Sequence, residues 1–142
     1  MKYITFVVPC YNSAAYRRHC IDTLLPGGED VEILIVNDGS TDGTYQIANE
    51  YREKYPTIVR AIHKENGGLV SARKAGLAAS KGEYIGYVDG DDWVDPGFYE
   101  SLVRTIAEYD SDIVVAGMSK DLFSSSSKIT STIPAGNYEG ER

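Results

Sequence analysis

Val31-Glu32-Ile33-Leu34-Ile35-Val36-Asn37-Asp38-Gly39-Ser40-Thr41-Asp42 is the stretch on which the fold turns. Its centre, Ile33-Leu34-Ile35-Val36, is apolar without interruption, and then the chain becomes polar and glycine-bearing within three residues. Continuous apolarity over so short a run suits a strand covered on both faces, as in a parallel sheet with helices above and below, whereas strict alternation would point to a sandwich.

Working outward, four more short runs rich in β-branched and aromatic residues read as strands: Tyr3 to Val8, Thr57 to Ile62, Glu83 to Val88 and Asp112 to Ala116. Between them lie helical stripes: Tyr16, Cys20 and Leu24; Ala48, Tyr51 and Tyr55; Leu69, Ala72, Gly76 and Ala79; Tyr99, Leu102, Val103 and Ile106. Ser13, Ser40 or Thr41, and Asp95 followed by Pro96 supply helix starts. Strand and helix in alternation predict an α/β layered domain with a mostly parallel sheet and right-handed crossovers. The stretch from Met118 to Arg142 differs: it holds Ser124-Ser125-Ser126-Ser127, and only Lys128 to Ile133 resembles a strand, so it reads as loop.

Composition narrows the function classes. The 142 residues are 42% hydrophobic and 25% charged, which excludes a collagen, a membrane bundle or a disordered chain. A net charge of -7 repels phosphate backbones and argues against nucleic-acid binding. Cys10 and Cys20 lack the paired spacing of a zinc site and read as free thiols. Met1-Lys2-Tyr3-Ile4-Thr5 runs straight into a strand, leaving no room for a signal peptide, so the expected location is the cytoplasm.

In an open parallel sheet, ligands bind beyond the carboxyl ends of the strands, where the strand order reverses. The turns to inspect are therefore Pro9-Cys10-Tyr11-Asn12, Asn37 to Asp42, His63 to Gly68, and Asp89-Gly90-Asp91-Asp92. Carboxylates as close as Asp89, Asp91 and Asp92 repel one another unless a cation joins them, and a divalent ion held by oxygen ligands is the economical explanation. A solvated turn leading into a helix capped by Asp95 is the alternative reading of the same residues. Neither Asp38-x-Ser40-x-Asp42-Gly43 nor Asp89-x-Asp91 continues as a calcium hand, and neither G-x-G-x-x-G nor a P-loop is present.

Together these motifs resemble the GT-A glycosyltransferases of family 2, which invert the anomeric centre of a nucleotide sugar. The resemblance runs from Tyr3 to about Met118. It rests on Val7-Val8-Pro9-Cys10-Tyr11-Asn12, on Ile35 to Thr44, on Asn66-Gly67-Gly68 with Ala72-Arg73, and on Gly82-Glu83-Tyr84-Ile85 followed by Asp89-Gly90-Asp91-Asp92 and Pro96. It implies a Rossmann-like GT-A sheet, truncated, with 1–118 as the nucleotide-sugar-binding domain and 119–142 leading towards a missing acceptor-binding half. It also implies that Pro9, Tyr11, Asn12, Asp38, Asn66, Arg73, Asp89 and Gly90 bind the nucleotide sugar. Asp38 would accept from the base, most often uracil, and Asp91 with Asp89 would hold Mn²⁺ or Mg²⁺. The implied partners are a UDP-sugar donor and a glycan or lipid-linked acceptor, with any membrane association lying in the missing part.

Two departures stand out. Lys74 occupies a place where the family often has Asn, and Asn37 one where it often has Asp. Inverting transfer also needs a general base for the acceptor hydroxyl, which in the family lies downstream of the acidic motif. Asp121, Glu139 and Glu141 have no context for that role, so the base is expected beyond Arg142.

Rival readings are weaker. A phosphorylation-dependent receiver module would want paired acids after the first strand and a lysine after the fifth, where Pro9-Cys10-Tyr11 and Gly117-Met118 stand. A sugar nucleotidyltransferase would want a basic glycine-rich loop after the first strand. A catalytically inert nucleotide-sugar-binding or interaction domain keeps the same motifs. His19, His63 and Trp93 are read as surface or packing residues.

Overall fold

Four parallel strands lie in the order β3-β2-β1-β4: β1 is Ile4–Cys10, β2 Val31–Asp38, β3 Val59–Lys64 and β4 Tyr84–Tyr87. The structure, a computed structural model, describes residues 1–122, 125–129 and 136. The chain divides into two compact units, Met1–Tyr99 and Glu100–Arg142.

In the first unit, β1 and β2 are buried along their whole length, as the apolar runs predict. The register pairs Val7 with Leu34 and Pro9 with Val36, so successive side chains of the two strands point together to one face or the other. One face carries Val7, Leu34 and Val36 under α3 (Leu69–Ala79), whose Ala72 completes the buried cluster. Gly76 allows that approach: a methyl group there would lie 2.2 Å from Val7 Cγ1. Each fully buried Val or Leu here contributes about 2 kcal/mol of transfer free energy. The other face, with Cys10 and His63, lies towards α1 (Ala14–Leu24) and α2 (Thr44–Lys54): Arg17 and the Cys10 sulfur both border Gly90, and the Tyr45 ring lies tilted over His63 with centroids 4.1 Å apart. The sheet thus has helices on both faces.

The structure corrects several local expectations. The buried stripe of α1 is Arg17, Cys20, Ile21 and Leu24, while Tyr16 is exposed, because the helix is rotated by one residue from the stripe read through Tyr16. Helix α2 starts at Thr44 rather than near Ser40: Gly43 is its N-cap, and the Asp42 carboxylate just before it accepts from the Thr44 N–H at 3.0 Å. Strand β4 alternates in exposure because it is a sheet edge, with Ile85 and Tyr87 open on the α3 side. Trp93 is 44% exposed, with its ring 4.9 Å from that of His19, and so is not a core residue.

At the amino end of the sheet, opposite the turns, Glu32 is 2% exposed and organises a polar knot. Its carboxylate accepts from the Thr5 hydroxyl at 2.6 Å, from the Lys81 N–H at 2.9 Å and from the Arg60 guanidinium. Thr5 Oγ1 in turn accepts from the Gly82 N–H at 2.8 Å, which seats the start of β4 beside β1. Burial pushes the Glu32 carboxyl upward, but these donors outweigh it and hold the group below the ordinary glutamate value.

The second unit holds most of α4 (Phe98–Tyr109) and an antiparallel hairpin of β5 (Met118–Leu122) and β6 (Ser125–Ile129). The fifth expected strand, Asp112 to Ala116, is not one: Ile113 and Val115 are 81% and 69% exposed, and among the described residues no strand pairs with this segment. Strand structure begins instead at Met118, within the stretch read as loop, and the register pairs Ser119 with Lys128. Residues 130–133 of the expected Lys128 to Ile133 strand lie outside the described residues, as do Glu139 and Glu141.

Candidate functional site

Strand order reverses at β1: β2 follows it on one side and β4 lies on the other. At the carboxyl ends of this pair opens a cleft of about 190 Å³ lined by Pro9, Tyr11, Ser13, Leu69, Asp89, Gly90 and Asp91. Topology places it there, at the carboxyl ends of two parallel neighbours where the strand order reverses. The acidic turn is fastened to β1 by backbone bonds, from the Val88 N–H to the Val7 carbonyl at 3.1 Å and from the Gly90 N–H to the Pro9 carbonyl at 3.2 Å. A side chain at Gly90 would meet Arg17, Cys10 and the Pro9 carbonyl at 3.1 to 3.2 Å, so glycine is what lets the turn lie against β1.

Of the residues expected at the site, Pro9, Tyr11, Asp89, Gly90 and Asp91 come together in this cleft. Arg73 joins them from α3, donating to Asp89 Oδ1 at 3.0 Å with its guanidinium 5.7 Å from the Tyr87 ring centre. Asp91 is exposed, and no hydrogen bond or ion pair holds its carboxylate among the described residues. Burial raises the Asp92 carboxyl above the ordinary aspartate value, and the neighbouring Asp91 and Asp89 raise it further. The turn therefore has an unmet demand for positive charge.

Its donors are all oxygens, the type that Mg²⁺ and Mn²⁺ take. Among the described residues no group of three or more His, Cys, Asp and Glu side chains is arranged to hold an ion unaided. The donor set therefore fits an ion whose remaining ligands come from a bound phosphate group or water, with Asp91 and Asp89 as the protein's share.

Asn12, Asp38 and Asn66 form a second cluster beside the cleft. Asn12 has φ 46°, a left-handed conformation that asparagine tolerates, and its Oδ1 accepts from the Thr41 N–H at 2.8 Å. Asp38, 3% exposed, accepts from Lys64 Nζ at 2.7 Å and from the N–H groups of Gly67 at 3.0 Å and Gly68 at 2.9 Å. Asn66 Nδ2 donates to the Asp38 carbonyl at 2.9 Å. Gly39, at φ 72°, lies so close that a Cβ would sit 2.7 Å from the Asn66 nitrogen. Asp38 thus latches the turn between β3 and α3. Burial raises its carboxyl, and the Lys64 ammonium with the two glycine N–H groups more than reverses that.

Residues 5–132 match the family described as Glycosyl transferase family 2. The chain belongs to this glycosyltransferase family. Among its relatives, the uncharacterized glycosyltransferase EpsJ of Bacillus subtilis is 42% identical over 118 residues, 82% of this chain and 34% of EpsJ. GlyA of Streptococcus pneumoniae is 42% identical over 113 residues, 79% of this chain and 16% of GlyA. A crystal structure of S. aureus TarS 1-349 with UDP-GlcNAc superposes with a TM-score of 0.68 at 31% identity, over 79% of this chain and 33% of that one. The GT-A architecture implied by the motifs is therefore the architecture found.

Sequence reasoning missed four contributors to this family 2 site. Ser13 and Leu69 line the cleft, although Ser13 reads only as a helix start and Leu69 as part of a buried stripe. Asp42 serves two helices at once, since it also accepts from the Ala14 N–H of α1 at 3.1 Å. Arg17, wholly buried, lies under the acidic turn; its spacing with Cys20, Ile21 and Leu24 is the signal that marks it as inward-facing. His63 accepts from Asn37 Nδ2 at 3.1 Å through Nδ1 and donates to Asn49 Oδ1 at 3.2 Å through Nε2, a neutral imidazole that burial and Arg52 keep neutral. Burial pushes the Cys20 thiol up to about 12 and the Cys10 thiol well above its usual range, so neither is a ready nucleophile.

Proposed function

We propose that this chain is the donor-binding part of a metal-dependent, inverting glycosyltransferase that moves a sugar from a UDP-sugar to an acceptor hydroxyl. The observation that carries the reading is the cleft at the β1/β4 switch, where Asp89, Gly90 and Asp91 meet Pro9 and Tyr11. The likeness to a structure holding UDP-GlcNAc supports a uridine nucleotide as donor. The chain spans about a third of the EpsJ length.

Asp91 and Asp89 would hold Mn²⁺ or Mg²⁺. When bound, that ion supplies Lewis-acid neutralisation of the departing diphosphate. The chain's own side chains do the rest of the donor's handling. Arg73 stands beside Asp89 with its guanidinium partly open, placed to take a phosphate oxygen. Tyr11 offers an exposed ring at the cleft wall, and the Asp38 latch fixes the turn carrying Asn66 at the neighbouring edge. The general base is assigned to a carboxylate outside Met1–Arg142, in a region that binds the acceptor.

Calorimetric titration of UDP in the presence of Mn²⁺ tests the donor site. Asp91→Ala is expected to weaken UDP by at least about tenfold, or about 1.4 kcal/mol, and equal binding by the variant would show the metal turn to be misassigned. For the base, the purified chain supplied with UDP-sugar and acceptor is expected to release little product, and sustained transfer would place the base within it.

A further inference from the structure

Arg17 is 0% exposed, yet only part of its donor capacity is used. Its Nη2 donates to Ser13 Oγ, while Nε and Nη1 have no partner among the described residues. Burying a guanidinium with unmet donors is costly, and a sequence with no use for it there would place a leucine or methionine on this face of α1. The head group lies directly behind the acidic turn, because a methyl group on Gly90 would come within 3.1 Å of both Nη2 and Cys10 Sγ. The same turn is tied to α1 through the Cys20 thiol, 3.7 Å from the Asp89 carbonyl. Ser13, which Arg17 grips, is itself a wall of the cleft.

We propose that Arg17 is a positioning residue of the donor site, a fixed buried cation that sets the charge balance of the Asp89-Gly90-Asp91-Asp92 turn. The inference rests on the donor-site reading above and deepens it. Two guanidiniums flank the turn: Arg73 pairs with Asp89 from the α3 side at the surface, and Arg17 lies behind Gly90 from the α1 side in the interior. Asp42 is a further acid near Arg17: burial raises its carboxyl, but hydrogen bonds from Thr44 and the Ala14 N–H, with Arg17 nearby, outweigh that and hold it below the ordinary aspartate value. With Arg17 in place, the turn still wants positive charge but collects a divalent ion less strongly by itself. An incoming diphosphate meets less repulsion and adds the negative charge that draws the ion in. Ion and nucleotide therefore favour each other's binding, so the site fills with both together rather than with a stray cation.

The test separates charge from packing by its signs. Mn²⁺ affinity is measured by electron paramagnetic resonance without nucleotide, and UDP affinity by calorimetry without metal, on the full chain. Arg17→Met and Arg17→Gln are both expected to bind Mn²⁺ about tenfold more tightly and metal-free UDP about tenfold more weakly, while Arg17→Lys stays close to the unsubstituted protein. Gln keeps a donor for Ser13, so it reads the charge even where the methionine variant fails to fold. Unchanged affinities, or both moving the same way in the neutral variants, would overturn the role given to Arg17 while leaving the donor site standing. Failure of the unsubstituted chain to bind either Mn²⁺ or UDP would overturn the donor site and this inference together.

Discussion

Glu32→Ala is expected to lower the stability of the Met1–Tyr99 unit by about 3 kcal/mol, measured as the shift in free energy of urea unfolding at pH 7. The carboxylate is buried and accepts from three donors, Thr5, Lys81 and Arg60, and its removal leaves the Thr5 hydroxyl without its acceptor and the Lys81 N–H with only the longer bond to Thr5 Oγ1. The estimate sits at the low end for breaking a buried pair, because the Arg60 side chain is 38% exposed and can be rehydrated. The loss should appear without a change in nucleotide affinity under conditions where the variant is folded, since the knot lies at the sheet end remote from the cleft. A loss below about 1 kcal/mol would mean that water replaces the carboxylate and that the knot is not what seats β4.

The pH dependence follows from the same group. Its folded value lies below its unfolded value of about 4.3, so the folded chain holds on to fewer protons. The stabilisation is present above the unfolded value and is lost as pH falls through the folded one. Asp38 and Asp42 are displaced in the same direction, so the unfolding midpoint should fall from pH 6 to pH 3 by more than the Glu32→Ala variant loses over the same interval.

Asp38→Ala is expected to have the second large effect, a loss of about 3 kcal/mol together with at least tenfold weaker UDP binding. The carboxylate receives three donors, from Lys64, Gly67 and Gly68, and its backbone carbonyl receives a fourth from Asn66. A double-mutant cycle with Lys64→Met separates the latch from any direct contact with the base. Coupling of about 1 to 3 kcal/mol in stability is expected, since the two groups share one buried hydrogen bond. Additive stability losses would mean that the ammonium is held chiefly by the Glu65 carbonyl, to which it also donates at 2.7 Å. The base-recognition role implied for Asp38 thus has to share an oxygen with these donors, as a carboxylate with four lone-pair sites is able to do.

These residues show where sequence reading succeeds and where it stops. Asp38 is legible as a site residue because Asn37-Asp38-Gly39 follows an unbroken apolar strand, but nothing local to it names Lys64 or Gly67 as partners. Those lie 26 and 29 residues away and are brought near only by the β2/β3 register. Arg17 stands in a run of two arginines; its helical spacing with Cys20, Ile21 and Leu24 separates it from exposed Arg18, whose guanidinium pairs with Glu50 at 2.7 Å, but nothing local to it names the acidic turn that it backs. The expected strand at Asp112 to Ala116 shows the converse: β-branched residues mark a strand only where a neighbouring edge satisfies the backbone.

The sequence by itself determined the alternation of strands and helices, the two-sided burial of β1 and β2, the turns that carry the chemistry, and the family. All of these depend on local periodicity and on short motifs that keep their meaning wherever the chain goes. The tertiary structure alone decided which turns share one cleft, that Asp89 is engaged by Arg73 while Asp91 is exposed, and that a buried arginine backs the acidic turn. Those outcomes depend on strand order and helix rotation, which are set by packing between segments far apart in the chain, where no single segment holds the information.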